Sequence, residues 1–133
     1  MKYAIDSNVI IDMTRKSFLS FSTIRAKIAA GAKIAIPSIV DYEVQRGFYH
    51  TPSSKKEFAY NRLKSDCIML EMNAAILDQA AKIWANLKKR GAQIKECDIL
   101  IAATCLHYEY ILVTTDQHFD RIAGLQTENW LEQ

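Results

Sequence analysis

The residues of this sequence that could do chemistry are four widely spaced carboxylates: Asp6, Glu43, Asp98 and Asp116. Asp6 follows the apolar run 3–5 and Asp116 follows the run 111–115, so each acid stands where a short strand would stop. If both runs are strands of one parallel sheet, their carboxyl ends meet at the same edge, where ligands bind in such sheets. The spacing therefore predicts an acidic site at that edge.

Glu43 and Asp98 are expected to reach the same place from helices. Glu43 lies about two helical turns after a predicted strand, and Asp98 falls in the first turn of a helix that is apolar nearly all round. A helix of that composition should be covered on more than one side. An acid on it must therefore be paired or must hold a cation.

Four convergent carboxylates without a partner would repel one another, and a hard divalent cation removes that repulsion. Oxygen ligands suit Mg²⁺ or Mn²⁺. Such an ion can activate water and stabilise charge on a phosphodiester, which allows hydrolysis without a protein nucleophile. Neutral residues beside the acids could orient ligands and water: Ser7, Asn8, Ser38, Thr114 and Thr115.

Taken singly, each acid also has a structural interpretation. An Asp after a strand is often a helix cap or a turn residue, and Asp98 could simply favour a helix N-terminus. The joint pattern favours the metal site, because four acids share one predicted destination. Three further acids are expected to be exposed: Asp12, Asp41 and Asp120. Because Asp120 is near Asp116, it is a reserve candidate for the metal site.

Apolar runs of strand length alternate with helical patterns, which predicts an α/β fold in one domain, residues 1–133, with a mainly parallel sheet of about five strands flanked by helices. The predicted strands are 2–6, 33–36, 67–71, 111–115 and 126–129. The predicted helices are 18–30, 37–48, 54–65, 73–90 and 96–108. Their end signals include Gly31 after the first, a capping box at residues 54–57 and an Asn73 cap.

Composition sets few limits on the partner. The formal net charge is +2, so bulk charge neither requires nor excludes a nucleic acid. Cys67, Cys97 and Cys105 lack the spacing of a zinc site and are interpreted as core residues in a reducing cytosol. Neither a secretory leader nor a membrane-spanning stretch is evident, which predicts a cytoplasmic protein.

Four segments in register resemble PIN-domain ribonucleases, and more narrowly the VapC-type toxins of bacterial toxin–antitoxin systems. They are residues 3–12, 36–47, 97–104 and 112–119. The resemblance extends over nearly the whole chain. It departs from the family modestly at Tyr108-Glu109-Tyr110, where a small residue is common, and this affects only the local turn.

The resemblance implies metal-binding roles for the four acids Asp6, Glu43, Asp98 and Asp116, supported by Asn8, Ser38 and Thr114 or Thr115. It implies Mg²⁺- or Mn²⁺-dependent cleavage of RNA, including structured RNA such as tRNA. It also implies a homodimer and a cognate VapB-type antitoxin whose C-terminal segment lies across the active site.

Other residues with chemical potential are assigned mainly to structure. His50, His107 and His118 have no sequence partner, and His118 has the best claim to a phosphate or substrate contact because it is near Asp116. Trp84 is predicted to pack in the core. A possible nucleic-acid or protein surface combines aromatic and basic residues: Phe48, Tyr49 and Tyr60 with Arg46, Lys55, Lys56 and Arg62.

Three other functions remain open at this point. A phosphorelay receiver domain has similar length and alternation, although Glu71 and Asp116 stand where its phospho-accepting Asp and its Lys are needed. A catalytically inactive RNA-binding PIN module would keep the fold without cleavage. A DNA-directed flap nuclease is disfavoured, because the chain has no room for the additional DNA-binding elements.

Overall fold

A five-stranded sheet forms the centre of the computed structural model, which describes residues 1–15 and 19–130, except for the side chains of residues 19 and 20. Its strands are β1 (Lys2–Ile5), β2 (Lys33–Pro37), β3 (Ile68–Leu70), β4 (Ile111–Val113) and β5 (Thr127–Glu128). The strand order is β3-β2-β1-β4-β5, and each neighbouring pair is parallel. This confirms the predicted fold class.

Six helices flank the sheet in the described part of the chain. They are α1 (Ser7–Arg15), α2 (Leu19–Ala29), α3 (Ser38–His50), α4 (Ser54–Ser65), α5 (Ala74–Lys89) and α6 (Glu96–Tyr108), with a short 3-10 helix at Gln117–Arg121. Five of them match the predicted helices, although Phe18, the predicted start of the first, lies outside the described residues.

Helix α1 was not predicted. Its buried residues Val9, Ile10 and Met13 have helical spacing, so one face of the helix packs into the core. Only residues 6–8 separate the β-branched run at 9–11 from the apolar residues of β1, which hides the change from strand to helix. Placing α1 directly after Asp6 matters for the site, because it brings Ser7 and Asn8 to the same sheet edge.

The order of the strands creates a switch point beside β1. From this central strand the chain moves through β2 and β3 to one side, and it later returns through β4 and β5 on the other. Ligands of open parallel sheets bind where the connections diverge in this way. A receiver domain has the different order 2-1-3-4-5, so the observed order excludes that alternative.

Helix α6 supplies much of the core. Its buried residues include Ile99, Thr104 and the run 101–103, which leaves it little polar surface, as predicted. Thr104 satisfies its hydroxyl by donating to the carbonyl of Leu100 at 2.8 Å. Helix α5 packs along α6 and therefore covers a second side of it. Asp98 is consequently held at the start of a rigid, buried helix.

Two helix starts differ from the sequence prediction and one confirms it. Asn73 caps α5, since its side chain accepts from the Ile76 amide at 2.9 Å. In α4 the N-cap is Ser53 rather than Ser54. Glu57 Oε2 accepts a hydrogen bond from the Ser53 amide, so the cap is of the predicted kind but begins one residue earlier. Pro37 ends β2 and precedes α3, instead of opening its first turn.

Two aromatic predictions were wrong. Trp84 is 42% exposed, because the buried stripe of α5 is centred on Ile76, Ala80 and Leu87 and the indole lies at its edge. Tyr60 is fully buried under α3, where its hydroxyl donates to Asp41 at 2.7 Å. Tyr60 therefore cannot belong to the proposed aromatic and basic surface. No described helix is both long and apolar enough to cross a membrane.

The turn after α6 contains a left-handed residue that is not glycine. Glu109, within the segment that departs from the family pattern, has φ 61° and ψ 51° at the helix C-cap. Glycine is preferred there because a Cβ atom is disfavoured at positive φ. We expect Glu109→Gly to raise the free energy of unfolding by about 0.5–1 kcal/mol in urea denaturation. Glu109→Ala is the control, and an equal gain in that variant would contradict the explanation.

Candidate active site

Asp6 is the buried centre of the acidic site, with only 3% of its surface exposed. Its Oδ1 accepts from the Ser7 amide at 2.8 Å, and its Oδ2 accepts from the Thr114 hydroxyl at 2.7 Å. Burial raises the pKa of Asp6 to about 6, and repulsion from Asp98 and Glu43 adds to this rise, although the two hydrogen bonds oppose it. The ionised form of Asp6 is therefore unfavourable at this buried position, and the Ser7 amide and the Thr114 hydroxyl hold its carboxylate in place.

Asp98 joins the site from the first turn of α6. It is half-buried, and burial is the main reason why its pKa is raised to about 6. Negative charge on Asp116 and Glu43 raises it further, whereas Lys95 and His118 lower it. Through these repulsions, each of the four acids is linked electrostatically to at least one of the others.

Glu43 reaches the site from the second turn of α3. Its Oε1 accepts from the Ser7 hydroxyl at 3.0 Å, which connects α3 with the start of α1. Its Oε2 lies 3.5 Å from the Arg46 guanidinium. Ser38, the predicted supporting residue of this segment, is half-buried at the first position of α3.

Asp116 follows β4 and is the N-cap of the 3-10 helix. Its amide donates to the Thr114 hydroxyl at 3.0 Å, and that hydroxyl in turn donates to Asp6. Its Oδ1 accepts from the His118 amide at 2.8 Å and lies 3.1 Å from His118 Nδ1. Thr114 therefore links the carboxylate of Asp6 with the backbone of Asp116, and His118 contacts the Asp116 carboxylate directly.

Asn8 and Thr115 form a second polar link at the same edge. The Asn8 amide nitrogen donates to the Thr115 hydroxyl at 3.2 Å. The Asn8 side-chain oxygen is buried and makes no hydrogen bond with the described residues. A buried acceptor without a donor is unfavourable, so this oxygen is suited to face a cation or an ordered donor.

The donor set fits a hard divalent cation. It consists of carboxylate oxygens that repel one another, together with the unsatisfied oxygen of Asn8. Within the described ranges, no three Asp, Glu, His or Cys side chains are already arranged as metal ligands. In the structure, one carboxylate oxygen of Asp6 accepts from the Thr114 hydroxyl and one of Glu43 accepts from the Ser7 hydroxyl.

Comparison with known proteins identifies the family. The PIN domain model matches residues 3–125. The chain is also 32% identical to Ribonuclease VapC2 of Rickettsia felis over 138 aligned residues, which cover 98% of each protein. The chain belongs to the VapC family of PIN-domain proteins. It is also similar to Ribonuclease VapC2 of Haemophilus influenzae, with 29% identity over 98% of this chain and 99% of that protein.

Solved VapC-family structures have the same fold. VapBC-1 from nontypeable Haemophilus influenzae matches with a TM-score of 0.83 and 26% identity, over 98% of this chain and 99% of that one. VapBC2 from Rickettsia felis, bound to a DNA fragment from its promoter, matches with a TM-score of 0.87 at 24% identity, over 98% and 99% of the two chains. The resemblance drawn from the four sequence segments is thus confirmed.

Other acids of this VapC-family chain lie apart from the central four or at their margin. Asp41 was wrongly expected to be exposed, since it is half-buried and pairs with Lys64 at 3.1 Å. Asp12 is likewise half-buried, on α1. Asp120 is exposed and lines a polar cleft with Asp116 and Glu128, so it stays a reserve candidate.

The remaining histidines and cysteines make structural contacts. His50 is exposed beside Thr51, and the exposed His107 contacts Asn73. All three cysteines are free thiols: Cys105 is buried, as predicted, whereas Cys67 and Cys97 are only half-buried.

Sequence reasoning missed one feature of the site, the pairing of Tyr42 with Arg46 on either side of Glu43. Tyr42 is 53% exposed, and its ring centre lies 5.2 Å from the Arg46 guanidinium carbon. The signal was present as an aromatic residue and an arginine at i and i+4 around a predicted ligand. The earlier surface prediction placed Arg46 with Tyr60 instead, and Tyr60 is buried.

Proposed function

We propose that this chain is the toxin of a toxin–antitoxin pair and that it hydrolyses RNA phosphodiester bonds with Mg²⁺ or Mn²⁺. The similar proteins are named ribonucleases, and the similar structures include VapBC complexes and a toxin–antitoxin complex from Klebsiella pneumoniae. The observation that carries the proposal is the convergence of four acids at the switch point, two of them with pKa values raised to about 6.

The four acids are proposed as the residues that hold the cation: Asp6, Glu43, Asp98 and Asp116. When bound, the cation would activate water for attack on the phosphodiester and offset the negative charge of the phosphate. The protein's own contribution is to orient these acids. The Thr114 hydroxyl fixes Asp6, the Ser7 hydroxyl fixes Glu43, and His118 fixes Asp116.

The arrangement favours an active enzyme over an RNA-binding module without catalysis. A module that binds only RNA gains nothing from burying Asp6, because an ionised carboxylate is unfavourable there and repels phosphate. A cation-dependent site explains both the burial of Asp6 and the presence of four acids that repel one another. We further propose tRNA as a substrate, a VapB-type antitoxin as partner, a homodimer as the assembly, and the cytoplasm as the location.

The direct test is cleavage of purified tRNA and of total RNA by the purified chain in Mg²⁺, Mn²⁺ or EDTA. We expect cleavage at defined positions with either ion and none in EDTA, because the ionised acids require a cation to approach RNA. Sequencing of the new 5′ ends identifies the cut sites. Equal cleavage in EDTA would contradict the metal requirement. Absence of cleavage under all three conditions would contradict the proposed ribonuclease activity.

A further inference from the structure

The acidic site by itself does not explain how RNA could bind. Carboxylates repel the phosphates that supply most of the affinity between proteins and nucleic acids. Side chains that can carry a positive charge must therefore lie at the border of the acids. The structure places three there: Arg46 next to Glu43, and Lys95 and His118 close enough to affect Asp98.

Arg46 differs from the other two because it is permanently charged and presents a planar set of donors that matches a phosphate. Its guanidinium is 3.5 Å from Glu43, but the side chain is 55% exposed. A contact at that distance and exposure is weak. Burial raises the pKa of Cys97, the residue before Asp98, and the nearby charge of Arg46 opposes this rise, so the guanidinium lies near the start of α6.

Tyr42 adds an aromatic surface beside this cation. It lies one helical turn before Arg46 and is 53% exposed. The guanidinium carbon of Arg46 lies 5.2 Å from the centre of the ring, which is within the range of a cation–π contact. Unpaired bases of single-stranded RNA stack on tyrosine rings and on guanidinium planes, whereas the bases of a duplex are already stacked.

We propose that Tyr42 and Arg46 form a subsite for single-stranded RNA on the Glu43 side of the acidic cluster. Arg46 binds a phosphate next to the bond that is cut, and Tyr42 stacks on an adjacent base. This subsite rests on the proposed ribonuclease function and specifies how its substrate is held. It also explains why an arginine lies beside an acid that has to remain available to a cation.

The alternative explanation is that the pair only stabilises the surface of α3. The chain contains a matched case for comparison. Trp84 and Lys88 form the same i, i+4 pair on α5, with the ammonium 5.3 Å from the indole centre. Trp84 is also partly exposed, and none of the contacts described above connects it with the four acids. Lys82, which pairs with Asp78 on α5, provides a control for loss of surface charge.

The test measures RNA binding in an Asp6→Asn parent, in which cleavage does not interfere. The probes are a short fluorescein-labelled single-stranded RNA of mixed sequence and an abasic oligomer of the same length. Arg46→Gln should weaken the binding of both probes by about 10-fold. It should also reduce the magnitude of the slope of log affinity against log salt by about 0.7. Tyr42→Leu should weaken the binding of the RNA by about 5- to 100-fold, but not that of the abasic oligomer, and should leave the salt slope unchanged.

Tyr42→Phe should retain affinity, and Trp84→Leu and Lys82→Gln should stay within about twofold of the parent. With Asp6 restored, Arg46→Gln should raise KM more than it lowers kcat; a role limited to positioning Glu43 would mainly lower kcat. Unchanged affinity and salt slope in Arg46→Gln, or equal weakening of both probes in Tyr42→Leu, would overturn the subsite alone. A parent that binds neither probe would also overturn the subsite, whereas the proposed function is tested separately by cleavage of RNA in Mg²⁺, Mn²⁺ or EDTA.

Discussion

Asp6→Asn and Asp98→Asn should each reduce RNA cleavage by more than about 100-fold while the protein stays folded. Substitution of a residue that only orients a metal ligand already lowers metal affinity or activity by about 10- to 100-fold. Loss of a ligand itself should therefore lower activity further. Both substitutions keep the size of the side chain and remove its charge. Cleavage rates in saturating Mg²⁺ or Mn²⁺ measure the effect, and circular dichroism checks the fold.

Asp78→Asn is the matched control for this experiment. It makes the same chemical change on α5, where the exposed Asp78 pairs with Lys82 at 3.2 Å. Its cleavage rate should equal that of the unmodified chain. In cells, the Asp6 variant should no longer inhibit growth on induction, whereas the Asp78 variant should. Undiminished cleavage by Asp6→Asn would show that this carboxylate is not needed for the reaction.

In the absence of metal, Asp6→Asn should raise the stability of the protein, although it lowers the activity. Asp6 and Asp98 have pKa values raised to about 6 in the folded state, from an ordinary value of 3.8. Between these values the folded state binds more protons than the unfolded state, so the free energy of unfolding falls as the pH rises. The loss is complete about one pH unit above these folded-state values, where both acids are almost fully ionised.

Asp6→Asn should therefore be more stable than the unmodified chain at pH 7.5 in EDTA, by about 1–3 kcal/mol. This difference should disappear near pH 4, where Asp6 is protonated and resembles asparagine. Mg²⁺ or Mn²⁺ should stabilise the unmodified chain and reverse the order, since a ligand that binds only the folded state stabilises it.

Urea denaturation at both pH values, with EDTA or either ion, measures these effects, and Asp78→Asn should follow the unmodified chain throughout. A lower stability of Asp6→Asn at pH 7.5 in EDTA would show that Asp6 is not an unfavourable charge. Stabilisation of Asp6→Asn by Mg²⁺ as large as that of the unmodified chain would exclude Asp6 as a ligand.

Local features of the chain were sufficient to predict most of the fold. Alternation of apolar runs and helical patterns indicates a parallel sheet, and Asn73 marks the start of α5 by a hydrogen bond within four residues. The four acids were also recognisable, because each is tied to the end of a strand or to a position in a helix. Such signals depend only on residues close in sequence.

Contacts between distant residues could not be predicted in this way. The Thr114 hydroxyl meets Asp6 across 108 positions, and Ser7 meets Glu43 across 36. Trp84 and Tyr60 were misplaced for the same reason, since the exposure of a side chain depends on which neighbouring element covers it.

The sequence by itself determined which residues could form the site and that they would lie at one edge of a parallel sheet. The tertiary structure decided the strand order that brings β1 next to β4, the burial of Asp6 and the raised pKa values. It also decided that Tyr42 is exposed whereas Tyr60 is buried. The physical reason is that propensity and periodicity act along the chain, whereas desolvation and repulsion depend on groups that only folding brings together.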